Sequence, residues 1–190
     1  LTSAPDLPAT TLANYCYNGM FSGCTSLTSA PDLPATTLAS GCYQSMFSGC
    51  TSLASAPALP ATTLADHCYS DMFLGCTALT SAPDLPATTL ANYCYSYMFS
   101  VCTSLASAPA LPATTLADYC YSGMFYGCAS LKISSTKTGS YQYSWRIPTS
   151  GTGSTAISNW NLSMFFETGG TFKSNPSINT TYYLENPPIV

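Results

Sequence analysis

The chain has 190 residues, of which 6% are charged (four Lys plus Arg against eight Asp plus Glu), and it is 46% apolar. That much apolar content beside so little charge excludes a disordered polyelectrolyte. Residues 1–130 hold Asp6, Asp32, Asp66, Asp71, Asp84 and Asp118 with no Lys or Arg, which excludes a phosphate-binding nucleic-acid surface built from clustered cations.

No apolar run reaches the roughly 18 residues of a membrane span, and no basic n-region with an apolar h-region is visible. The sequence starts at Leu1 inside a repeat pattern and reads as a fragment or processed form. The repeat has a period of 26 and recurs five times without insertion: 1–26, 27–52, 53–78, 79–104 and 105–130. Each unit reads L-[TA]-S-A-P-[DA]-L-P-A-T-T-L-A-x-x-C-Y-x-x-M-F-x-x-C-[TA]-[SA]. A fixed period of this size is the signature of stacked repeats, in which one unit cannot bury its own apolar face but several together form a continuous core.

Within a unit, "LTSAP" predicts a short strand that ends at a proline unable to donate to a ladder. "DLPATT" then predicts a helix start, and Thr63 with Asp66 and Thr115 with Asp118 approximate capping boxes. From Ala9 to Cys24 the pattern fits a helix. At about 100° per residue, Leu12, Ala13, Cys16, Tyr17, Met20, Phe21 and Cys24 share half of the wheel. Positions 14, 15, 18, 19 and 22, which vary from unit to unit, fall on the other half. Gly23 and its counterparts break this helix, although unit 4 has Val101 there.

Phe21, Cys24, Leu27 and Pro31 are spaced aromatic-x2-Cys-x2-Leu-x3-Pro, and Phe47, Cys50, Leu53 and Pro57 repeat the spacing. This pattern resembles the BspA-like family of leucine-rich repeats, across residues 1–133. The longer "LANYCYNGM" segment, with its extra cysteine, departs from that family. The resemblance implies a cell-surface or secreted protein that binds host proteins, bacteria or matrix, with no catalytic residues to carry over.

"LKIS" at 131–134 reads as a sixth strand with Leu131 and Ile133 facing in, after which the period stops. "YQYSWRI" alternates as a strand, and "TSGTGS" and "GG" read as turns. Residues 134–190 are therefore expected to form a β-rich terminal cap.

Ten cysteines stand in two columns: Cys16, Cys42, Cys68, Cys94, Cys120 and Cys24, Cys50, Cys76, Cys102, Cys128. On a helix, eight residues span about 12 Å, too far for a disulfide within a unit. The same spacing is wrong for zinc, so reduced core cysteines are expected. His67 beside Cys68 suggests a nucleophile pair, but the wheel points the two side chains apart. The column of Asp6, Asp32 and Asp84 is interrupted by Ala58 and Ala110, which leaves too few carboxylates for calcium. The functional lead is a set of tyrosines at variable outward positions: Tyr15, Tyr93, Tyr97, Tyr119 and Tyr126, since tyrosine offers rigid area with a polar tip. The strand face, with Thr2, Ser3 and Asp6, is expected to be shallow.

The expected architecture is thus an α/β repeat solenoid. It is a right-handed leucine-rich-repeat coil of short parallel strands plus helices over 1–133, with a β-rich cap over 134–190. The expected function is a non-enzymatic, adhesin-like binding module for a protein or glycan ligand, at the cell surface or secreted. No metal, cofactor, nucleic acid or membrane insertion is expected. The alternative is a structural spacer presenting another domain.

Overall fold

The computed structural model describes residues 1–150 and 159–189. It keeps the 26-residue stacking period and overturns the expected element types. Among the described residues there is no helix, and the strands are Ile133–Ser134 (β1), Tyr143–Ile147 (β2) and Thr180–Leu184 (β3). The leucine-rich-repeat α/β solenoid, with a strand and a helix in each unit, is therefore not the fold.

Overlapping β-turns replace the helix. In the first unit, every second amide closes a turn onto the third residue before it: Cys16 N to Ala13 O, Asn18 N to Tyr15 O, Met20 N to Tyr17 O, Ser22 N to Gly19 O and Cys24 N to Phe21 O. The amides between them leave the coil and donate to the next one. Tyr15, Tyr17, Gly19, Phe21 and Gly23 bond the carbonyls of Ser40, Cys42, Gln44, Met46 and Ser48 at 2.7–2.9 Å. The pattern recurs from coil to coil, so the ribbon is half turn and half lateral ladder. Both amide sets find partners, as burial requires.

The expected parallel strands shrink to isolated bridges. Ser3 pairs with Ser29, Ser81 with Ser107, and Thr37, Thr63, Thr89 and Thr115 form a second row. The prolines explain the shortness, because a residue with no N–H cannot extend a ladder. The expected capping boxes also work differently. Asp66 Oδ1 accepts the Asn92 amide at 3.0 Å, Asn92 Oδ1 accepts the Asp118 amide at 3.1 Å, and Asn14 Oδ1 accepts the Ser40 amide at 3.1 Å. These side chains lengthen the ladder between coils instead of capping a helix.

The core lies between the turn ribbon and the Ser-Ala-Pro side of each coil. Tyr43, Tyr69, Tyr95 and Tyr121 stack in one file with centroids 5.9–6.0 Å apart, and Phe47, Phe73, Phe99 and Phe125 form another at 5.7–5.8 Å. Both files are buried, together with Met46, Met72, Met98 and Met124 and the leucines that begin each unit from Leu27 to Leu131. Coil 1 has a neighbour on one side only, so Cys16 and Met20, expected inside, are exposed.

The 26-residue period stops at Ser134 as expected, but the stacking continues beyond it, with the next ribbon offset by 39 residues where the repeats are offset by 25 (Tyr121 N to Trp160 O against Tyr17 N to Cys42 O). Residues 159–168 form a sixth, shortened turn ribbon. Tyr121, Gly123, Phe125 and Gly127 donate to the carbonyls of Trp160, Leu162, Met164 and Phe166, and Phe165 extends the phenylalanine file at 5.7 Å from Phe125. The expected sixth parallel strand is instead β1, which pairs antiparallel with β3 (Ile133 with Leu184). The expected strand in "YQYSWRI" is β2, also antiparallel to β3, and the sheet order is β1-β3-β2. Trp145 of β2 donates its Nε1–H to Pro109 O at 2.9 Å and sets its ring edgewise to Phe125 and Phe165. Residues 151–154 of the expected "TSGTGS" turn lie outside the described residues.

Candidate binding faces

The ribbon repeats in-in-out-out, and the sites foreseen in the sequence sort accordingly. All ten cysteines are free thiols: Cys16 is exposed, Cys24 half-buried and the other eight buried. Cys50, Cys76, Cys102 and Cys128 each donate an S–H to the carbonyl of the preceding coil's phenylalanine, at 3.0–3.1 Å. Loss of water pushes Cys42 and Cys50 up to about 11, and Cys68, Cys120 and Cys128 to about 12. A thiol held that high is a packing group and a poor nucleophile.

His67 is half-buried on the outer side and lies flat on Tyr93, with centroids 4.6 Å apart. Its neighbour Asp71 accepts a hydrogen bond from Ser70 Oγ at 2.8 Å. Burial raises the Asp71 carboxyl, while the Ser70 bond and the nearby His67 pull it back. The Ser70 hydroxyl thus points at a carboxylate, and the His67 ring is engaged by a tyrosine. Among the described residues, no group of three His, Cys, Asp or Glu side chains is placed to hold a metal ion.

The five tyrosines form a graded surface. Tyr93 stacks on Tyr119 at 4.8 Å and continues the His67 stack, and Asn159 Nδ2 donates to the Tyr119 hydroxyl at 3.2 Å. Tyr15 stands in the same column but is separated from that stack by Gly41. A Cβ on Gly41 would collide with the Tyr15 ring, and Gly123 makes the same room for Tyr97. The two rings laid over glycines are the exposed ones, at 53% for Tyr15 and 40% for Tyr97. Tyr93, Tyr119 and Tyr126 are half-buried, Tyr126 with its hydroxyl donating to Glu167 at 2.9 Å.

Three further exposed apolar residues join this end of the face: Val101, Leu162 and Phe166. Leu162 and Phe166 were missed because the sixth coil was missed. The signal was present, since "SMFFET" at 163–168 repeats the Met-Phe pair of "GMFYGC" at 123–128. The outer serine column departs from expectation as well. Ser70, Ser96 and Ser122 are buried, Ser96 and Ser122 bonding carbonyls of the next coil.

Compared with known proteins, the chain matches no family model, no curated protein and no solved structure.

Proposed function

We propose that this chain is a non-enzymatic binding module, adhesin-like, that contacts a protein or glycan through the outward side of its turn ribbons. One observation carries the reading. The coil backbone and core are constant, while the side chains at the outward ribbon positions change from copy to copy. Toward coils 4 to 6 those side chains become aromatic and apolar: Tyr93, Tyr97, Val101, Tyr119, Tyr126 and Phe166. A rigid scaffold with a varied aromatic surface is how binding proteins offer contact area at low entropic cost. Placement at a cell surface or outside the cell belongs to the same proposal, as what the resemblance of the Phe-x2-Cys-x2-Leu spacing to the BspA-like family implies.

The test is a glycan and extracellular-protein array probed with the intact chain, followed by Tyr97→Ser and Tyr119→Ser variants on any ligand found. The expected outcome is a saturable ligand whose affinity falls at least tenfold in one variant or both, with an unchanged circular dichroism spectrum. A chain that binds nothing, or a ligand indifferent to both substitutions, would instead fit a spacer.

A further inference from the structure

Eight large apolar side chains are exposed among the described residues. Leu1, Tyr15 and Met20 belong to coil 1, which has a neighbour on one side only, and Tyr143 stands on β2. The other four, Tyr97, Val101, Leu162 and Phe166, lie on the ribbons of coils 4 and 6, each 40–43% exposed. The ladders bring them together. Val101 N bonds Tyr126 O at 2.7 Å, and Gly127 N bonds Phe166 O at 2.9 Å. One turn away, Tyr97 N bonds Ser122 O at 2.8 Å, and Gly123 N bonds Leu162 O at 2.7 Å. With laddered backbones about 4.8 Å apart, the four span about 10 Å along the stack. Half-buried Tyr126 and the two glycines stand on the coil between them.

The coil does not require these side chains. Glycine holds the Val101 position in the other four repeats, and the valine sits there at a left-handed φ of 60°. Leu162 closes a column that is polar in every coil before it, from Asn18 to Ser122. A strained residue kept at an exposed position, with no interior to fill, marks a surface used for contact. The charge around the patch has one sign. Glu167 follows Phe166, Asp118 lies one turn back from Ser122 on coil 5, and Asp71 precedes Tyr97 in its column, its amide bonding Ser96 O. Asp118 and Glu167 are exposed and Asp71 is half-buried. Residues 1–131 and 159–172 contain no Lys or Arg.

We infer that this patch is the docking site for a cationic segment of a partner protein that carries aliphatic or aromatic anchors. The anchors cover Val101, Leu162 and Phe166. The partner's Lys or Arg side chains face Glu167 and Asp118 and lie on the Tyr97 ring. The same field repels anionic lipid, nucleic acid and acidic glycans. The inference rests on the ribbon side being the binding face, and it narrows the ligand from a protein or glycan to a basic protein segment.

The probe is a phage-displayed library of random peptides of about 12 residues, panned on the intact chain. Enriched peptides are expected to combine net positive charge with Leu, Ile or Phe. A labelled synthetic copy of the leading peptide should saturate at one per chain by fluorescence anisotropy. Its affinity should fall at least tenfold in the double variant Leu162→Ser with Phe166→Ser. It should fall at least threefold in Glu167→Gln, and again as salt rises from about 50 to about 300 mM. Val101→Gly separates docking from folding, because it restores the residue of the other four repeats. The chain should stay folded while affinity drops at least threefold. Enrichment of neutral or acidic peptides, or a basic peptide indifferent to the Val101, Leu162 and Phe166 substitutions, would overturn the inference. So would a panning that enriches nothing. A saturable hit on the glycan array would then leave the binding-module reading standing alone, and no hit on either would remove both.

Discussion

A cysteine in this chain is a small apolar residue with a directional S–H. In the second column the S–H donates to a carbonyl one coil back, from Cys50 to Phe21 through Cys128 to Phe99, so the thiol adds a bond between coils where alanine would add none. The first column, from Cys42 to Cys120, fills the ribbon interior with its thiols raised by burial. Both chemistry and access then predict protection. At pH 8 with a maleimide, Cys16 should label in seconds and Cys24 more slowly, because they are the exposed and half-buried members of the set. The other eight should label only when the chain is unfolded, bringing the total by intact mass to ten. Ten equal rates on the native chain would contradict the burial, and a total near zero would mean that the cysteines are paired. The columns themselves were legible in the sequence, since the residue type repeats at fixed positions.

The ribbon was misread as a helix for a physical reason. Its inward residues recur with a period of 4, against 3.6 for a helix, so the patterns advance by about 90° and 100° per residue. Over the nine residues from Cys16 to Cys24 the difference accumulates to about 80°, and both readings keep Cys16, Tyr17, Met20, Phe21 and Cys24 on one side. Periodicity therefore sorted most of the inside from the outside with the wrong backbone, the exceptions being the buried Ser70, Ser96 and Ser122 and the exposed Cys16 and Met20 of the end coil. The cue that separates them is conformational. The left-handed φ recurs every fourth residue, at 58° for Tyr15, 61° for Gly19 and 73° for Gly23, and a helix has no place for it. Glycine holds the third of these positions in four of the five repeats, where sequence reading took it for a helix stop. Val101 is the exception, a β-branched residue at φ 60°. Such a conformation costs a side chain roughly 1–2 kcal/mol, partly offset by the entropy glycine loses on folding. Val101→Gly is accordingly expected to stabilise the chain by about 0.5–1 kcal/mol, read as a higher denaturant midpoint. A lower midpoint would mean that the flexibility gained by glycine in the unfolded chain outweighs the strain relieved.

Each coil bonds its neighbours through the same amide-to-carbonyl ladder, and the aromatic files run unbroken along the stack, so stability is a sum over neighbour contacts. The buried thiols make that sum depend on pH. Their ordinary value is 9.0, and burial lifts those of the folded chain to about 11 or higher. The unfolded chain then releases protons first as pH rises, so the thiol contribution is fully present below pH 9 and is lost as pH climbs from there through 11. Above pH 9 each thiol costs the folded state about 1.4 kcal/mol per pH unit. Eight are buried, which gives a loss on the order of 10 kcal/mol by pH 10. A whole domain has about 5–15 kcal/mol. Buried Tyr69, Tyr95 and Tyr121, also raised, add to the loss at higher pH. Under reducing conditions, circular dichroism and tyrosine absorbance should hold level from pH 6 to about 8.5. Both should then collapse together near pH 10 and recover when the pH is lowered. A stack that kept its spectrum at pH 11 would mean that the thiols are solvated, and that the interior described here is not closed to water.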